Sequence, residues 1–162
     1  MLNVVVILSA LGCGLIAGTF FAFSTFVMKA LGNLPPAQGI AAMQSINVVV
    51  INPWFLTIFL GTAMMCVVVG IASLLRWHDP GTPYLIAGSL LYVVGTFAVT
   101  MLANVPLNDA LANVAPASAE GARLWSRYLT SWTAWNHVRT IAALAAAASL
   151  TIALVLNARG TH

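Results

Sequence analysis

Charge is what this sequence has least of. Of its 162 residues only 6% are charged, six Lys or Arg against three Asp or Glu, for a formal net charge of +3. Soluble domains carry roughly 25% charged residues. Nine charges cannot coat a globule of this size in water, which excludes a soluble enzyme. The six cations are scattered and form no basic stripe, so no nucleic-acid partner is expected. Disorder is excluded from the other side, because 61% of the residues are hydrophobic and an apolar chain of this kind collapses. Two cysteines and three histidines supply no C-x-x-C, no Cys/His ligand spacing and no C-x-x-C-H, so a zinc site and a covalent haem are excluded. No G-x-G-x-x-G fingerprint for a flavin or nicotinamide occurs. Internal repeats and low-complexity tracts are missing too. What remains is an integral membrane protein, 1–162 forming a single domain.

What is there is four long apolar runs. A helix needs about 20 mostly apolar residues to cross a bilayer, and the runs at about 2–28, 53–75, 84–104 and 136–156 qualify. The first ends at Lys29, the second at Arg76-Trp77-His78-Asp79-Pro80-Gly81, the third at Pro106, and the Ala-rich fourth before Arg159. Pro53 opens the second, where its missing N–H costs nothing. The first run lacks a basic n-region and exceeds the 7–15 residues of a signal peptide core, so it reads as a retained helix. Lipid forces each span to satisfy its own backbone, and the alternation of a membrane barrel is missing. The expected fold is all-α: an integral membrane four-helix bundle, multi-pass, in the cell membrane and in contact with the lipid bilayer.

Two connectors are long enough for amphipathic or interfacial helices of their own. The 1–2 connector carries a helix-like stretch from Gly39 to Val50, and the 3–4 connector one from about Ser118, with Glu120 in its first turn. Ala10, Gly14, Gly18 and Ala22 recur every four residues in span one and form a small-residue ridge that permits close helix approach. This ridge faces either another helix of the chain or a second copy, which makes a homo-oligomer through Gly14 and Gly18 one of two readings. Cys13 and Cys66 read as small buried hydrophobes.

Parity collects the polar residues. With four antiparallel spans, Ser24, Lys29, Asn47, Asn52, Asn104, Asn108, Trp132, Asn136, His137 and Arg139 fall on one membrane face. The other face holds Arg76, Trp77, His78, Asp79, Asn157 and Arg159. Polar groups at bilayer depth are expensive, so their concentration at one end marks a candidate site, although interfacial caps would also collect there. Trp125, Tyr128, Trp132, Trp135 and Arg139 follow a 3, 4, 3, 4 spacing and share one helical stripe. Asn136 lies on its edge. His137 stands two residues, about 200°, from Arg139 and aligns with Thr133, Thr140 and Ile141. The tryptophans alone would fit an aromatic belt at the headgroups. Lys29, Arg123, Arg127 and Arg139 against Arg76, Arg159 and the α-amino group place the polar connectors in the cytoplasm by the positive-inside rule.

Specific stretches carry a resemblance. Ala17-Gly18-Thr19-Phe20-Phe21-Ala22-Phe23-Ser24, Ala41-Ala42-Met43-Gln44-Ser45-Ile46-Asn47, Asn52-Pro53, Asn104-Val105-Pro106-Leu107-Asn108 and Trp132 to Thr140 together resemble the anthrone-oxygenase-like family of small membrane proteins. Most bacterial members of that family are known only as a domain of unknown function, whereas fungal relatives oxidise anthrones to anthraquinones. The resemblance implies the four-helix fold and an oxygenase acting with O2 on a hydrophobic phenolic or polycyclic substrate, without a cofactor. An anthrone carries an acidic benzylic C–H, and its anion reacts with O2 directly. Such chemistry needs a base, a stabiliser of negative charge and an apolar slot. His137 fits the general base, Arg139 the charge stabiliser, and Asn104, Asn108 and Asn136 the hydrogen-bonding partners of substrate oxygens. Trp132, Trp135 and Phe23 fit the apolar walls of the substrate slot, and Ser24, Asn47 and Asn52 at the same end are expected to bind substrate as well.

Two alternatives stand beside this reading. One is a haem protein with His137 as axial ligand and Arg139 on a propionate. A second histidine ligand is missing, because His78 lies on the opposite face and His162 at the far terminus. The other is a non-enzymatic carrier or accessory subunit, although a transporter would place polar groups nearer the midplane.

Overall fold

The computed structural model describes residues 2–159, and among them every regular element is a helix. Met1, the α-amino group it carries and residues 160–162, His162 included, lie outside the described residues. Four helices are long and apolar enough to cross a membrane: α1 (Leu2–Gly32), α3 (Pro53–Leu74), α4 (Thr82–Ala112) and α5 (Ala119–Arg159). A shorter α2 (Pro36–Val49) bridges α1 and α3. The four-helix bundle is as expected from the apolar runs. Its outer faces carry exposed Leu8, Leu11, Leu15, Met64, Val68, Ile71, Ile141 and Leu144, an apolar surface that suits the interior of a bilayer.

Helix ends follow the local chemistry. Asn52 caps α3, its side-chain oxygen accepting the Phe55 N–H at 3.0 Å, and Pro53 occupies the first turn. Ser118 caps α5 by accepting the Gly121 N–H at 2.9 Å. Gln44 of α2 donates to the carbonyls of Leu111 and Val114 at 2.8 and 3.0 Å, which satisfies the frayed end of α4. The short turn between α3 and α4 is pinned to α5, where the Gly81 N–H donates to Asn157 Oδ1 at 2.8 Å. A Cβ at Gly81 would stand 2.7 Å from the Ala153 carbonyl oxygen, so only glycine admits this approach.

Two boundaries differ from the expectation. The fourth span does not begin near Asn136, because no Pro or Gly interrupts Ala122 to Arg159 and the expected connector helix fuses with it into one rod of 41 residues. The third span does not stop at Pro106. Its last turns are π-helical at Leu91–Ala98 and Thr100–Asn104, and this widening relieves the clash between a helical proline ring and the carbonyl four residues earlier. The helix therefore continues to Ala112.

These extensions build a second layer. In the bundle, α1 packs on α3 and α5, and α4 packs on α3 and α5, around Cys13, Ile16, Phe20, Phe59, Cys66, Tyr92, Ala143 and Leu150. Close approach of α4 and α5 rests on Gly95, where a Cβ would meet the Ala142 Cβ at 2.6 Å. Beyond the level of Pro53, α3 is absent and α2 takes its place against the ends of α1, α4 and α5. This cap has its own core of Met28, Leu31, Ile40, Met43, Leu111, Trp125, Tyr128 and Trp132. Val48, Val49, Ile51 and Trp54 at its edge are exposed and apolar, which suits contact with the headgroup region.

The Gly14/Gly18 ridge does not mediate packing within the chain. Both glycines face outward with nothing within 4 Å of a built Cβ. Close packing of α1 on α3 uses Gly12 instead, whose Cβ would stand 3.1 Å from the Thr62 Cβ.

Candidate active site

Polar side chains accumulate where the bundle core meets the cap core. At the centre is Arg139 of α5, only 3% exposed. Its Nη2 donates to Asn136 Oδ1 at 2.7 Å and its Nη1 to Thr100 Oγ1 at 3.2 Å. The guanidinium stacks over the Phe20 ring, 4.1 Å from its centroid, and 5.1 Å from that of Trp132. Such stacking suits a planar, weakly hydrated cation. Its Nε is buried without a hydrogen-bond partner. The chain's three acids, Asp79, Asp109 and Glu120, are not among its partners.

Asn136 links this cation to α1. Its amide nitrogen donates to the Phe20 carbonyl and to Ser24 Oγ, both at 2.7 Å. Thr140 commits its proton to the Asn136 carbonyl at 2.8 Å. In the 3.1 Å contact between Ser24 and Thr140, Ser24 is therefore the donor. The network has one direction, from Arg139 through Asn136 and Ser24 to Thr140.

On the opposite flank α4 contributes Thr96, Thr100, Asn104 and Asn108, spaced four residues apart. In an α-helix each such step overshoots a full turn by about 40°. The π-helical turns take that drift back and keep all four toward α5. Thr96 donates to the Arg139 carbonyl at 3.4 Å. Asn104 donates to the Trp132 carbonyl at 3.1 Å, leaving its side-chain oxygen buried and unpartnered. Asn108 accepts from both the Tyr128 hydroxyl at 2.7 Å and Trp132 Nε1 at 2.8 Å. Phe23 tilts against Trp132 with ring centroids 5.7 Å apart. A third π-helical stretch, Phe23–Val27 in α1, carries Ser24. All three such stretches thus supply side chains to one cluster, and helices widened in this way are frequent at functional sites.

The remaining expected residues stand apart. Asn47 reaches the Tyr128 hydroxyl from the cap. Asn52 serves as the α3 cap and lines a shallow surface depression with Ser45, Ile46, Val49 and Val50. Trp135 and His137 are exposed on the outer face of α5, while Asn136 and Arg139 point inward. The buried stripe runs Trp125, Tyr128, Trp132, Asn136, Arg139, with Asn136 where the spacing placed Trp135. No group of three His, Cys, Asp or Glu that could share a metal occurs among the described residues. A haem on His137 would lie against the outside of the bundle. Phe20, Thr96 and Thr100 join the cluster beyond the residues expected, and the four-residue spacing from Thr96 to Asn108 is the signal in the sequence for the two threonines.

Against known proteins, a family model described as anthrone oxygenase matches residues 54–149. That segment contains α3, α4 and the part of α5 that carries Trp132, Asn136 and Arg139. No curated protein and no solved structure matches.

Proposed function

The chain belongs to the anthrone oxygenase family, and from that premise we propose that it is a membrane oxygenase for a hydrophobic, phenolic or polycyclic C–H acid of the anthrone type, with Arg139 as the counter-charge of the substrate anion. One observation carries this reading. Arg139 is a buried cation with no carboxylate partner and a buried Nε that no acceptor meets. An unpaired buried charge is costly. It is maintained where a negative charge is to arrive, and as a fixed donor it stabilises that charge strongly.

The chemistry needs little else. Loss of a proton from the benzylic CH2 gives an anion, O2 adds at that carbon, and the peroxide collapses to a carbonyl and water. One oxygen atom ends in the product and the other in water. Arg139 Nε is free to donate to the substrate oxyanion. Asn104 Oδ1 is free to accept from a phenol. Phe20, Phe23 and Trp132 supply flat apolar walls. His137, about 200° round α5 from Arg139 and exposed, takes no part in this cluster, and the proton leaves to water. Stabilisation of the anion by the fixed guanidinium makes that transfer accessible.

Oxygen uptake by the detergent-purified protein with an anthrone tests the reading. The expected result is one O2 per anthrone, with kcat reduced about 100-fold in Arg139→Met, the usual cost of removing one oxyanion donor. Asn104→Ala is expected to raise KM and lower kcat less. Equal uptake by folded wild type and Arg139→Met would overturn the assignment.

A further inference from the structure

A second feature lies on the outer surface of the same helices. Between α1 and α5, at the level of the bundle–cap junction, runs an open groove of about 450 Å³ lined by Ser24, Met28, Lys29, Asn33, Leu129 and Thr133, among others. This volume falls in the range of small-molecule sites, roughly 300–1,000 Å³. No lining residue is acidic, and Lys29 is the single charge. Asn33 and Thr133 add polar groups at the rim, while Met28 and Leu129 supply apolar floor. Phe21, one helical turn before the groove residue Thr25 on α1, is exposed and apolar. Helical spacing places His137 one turn beyond Thr133 on the same side.

We propose that this groove binds an amphiphile with an anionic head, the head paired with Lys29 Nζ and the apolar body lying along Met28 and Leu129. Charge complementarity selects the occupant. A neutral lipophile gains nothing at the Lys29 end, and a cation is repelled there. The ammonium sits on a flexible stem and reaches a head anywhere along the rim. Ser24 belongs to both the groove and the Arg139 network, so an occupant here lies one side chain away from the buried cluster. The inference goes beyond the oxygenase reading and does not depend on it. A carboxylated aromatic and an anionic lipid headgroup share this chemistry.

Binding to the full chain in nanodiscs tests it, read by fluorescence of an anthracenecarboxylate and of its neutral carboxamide. In phosphatidylcholine discs the wild type is expected to favour the carboxylate, and Lys29→Met to bind it about fivefold more weakly, to the level of the carboxamide, the factor that one partly exposed charge pair supports. Gly32→Leu, which places a side chain beside Leu129, is expected to lose both probes. In phosphatidylglycerol discs, loss of carboxylate binding in the wild type identifies the lipid head as occupant, and its survival identifies the free acid; both support the site. Equal binding of carboxylate and carboxamide by the wild type, or a preference that survives Lys29→Met, overturns it. Arg139→Met, expected to lose turnover, is expected to keep this binding, so failure of either proposal is visible without the other.

Discussion

At the scale of single residues, neighbours in sequence have opposite environments. Asn136 is fully buried and ties Arg139 to Ser24, whereas His137 beside it is exposed. His137→Ala is therefore expected to keep oxygen uptake within about threefold of wild type, since surface changes away from a site have small effects, and to leave the visible absorption spectrum unchanged. A Soret band lost in that variant would restore the haem reading. The glycines of α1 make a second contrast. Gly12→Ala drives a methyl group into Thr62 and is expected to cost about 1–3 kcal/mol, the usual range for overpacking. Gly14→Ala meets open space and is expected to be neutral or slightly stabilising, because alanine is the better helix former. Thermal melts of the two variants in one detergent decide this.

At the scale of elements, the π-helical turns hold the site in register. Adding one residue at exposed Leu102, in a turn that already holds its extra residue, would rotate Asn104 and Asn108 about 100° relative to Thr96. The hydrogen bonds to Trp132 and Tyr128 would then be lost. The expected outcome is a helical content unchanged by far-UV circular dichroism with oxygen uptake reduced by at least about tenfold. Retained uptake would mean that the widened turns matter only for packing. These turns also mark where the sequence was hard to read. The four apolar runs, the Pro53 helix start and the polar end holding Ser24, Asn104, Asn108, Asn136 and Arg139 were all legible, because length and hydropathy decide them. Helix ends were not. Pro106 normally terminates a helix, and only the widened turn before it, which no residue pattern announces, lets α4 continue to Ala112. Trp135 was placed in the stripe by a 3–4 alternation that holds over short stretches, but the burial of Asn136 is set by its partners on α1, a tertiary fact.

At the scale of the whole molecule, the cap and the bundle are two cores threaded by the same rods. With exposed Trp54, Trp77 and Trp135 replaced by phenylalanine, Trp125 and Trp132 report on the cap, and most helical content lies in the bundle. Because α1, α4 and α5 run through both, tryptophan fluorescence and far-UV circular dichroism are expected to melt together in detergent, with midpoints within about 2 °C, as for a two-state unit. Two separated transitions would show that the cap folds independently of the spans.

The length of α5 has a mechanical consequence. A helix of 41 residues spans about 60 Å, roughly twice the hydrocarbon thickness of a bilayer. It is pinned at one end by Asn157 to Gly81 and carries Trp125 in the cap core near the other. Helices adjust their tilt to bilayer thickness, and a tilt of about 5° moves the end of such a rod by about 5 Å. Arg139 lies near the middle of this lever, where α5 leaves one core for the other. A change of tilt therefore bears on the Asn136–Ser24 contact that joins α5 to α1 at this level.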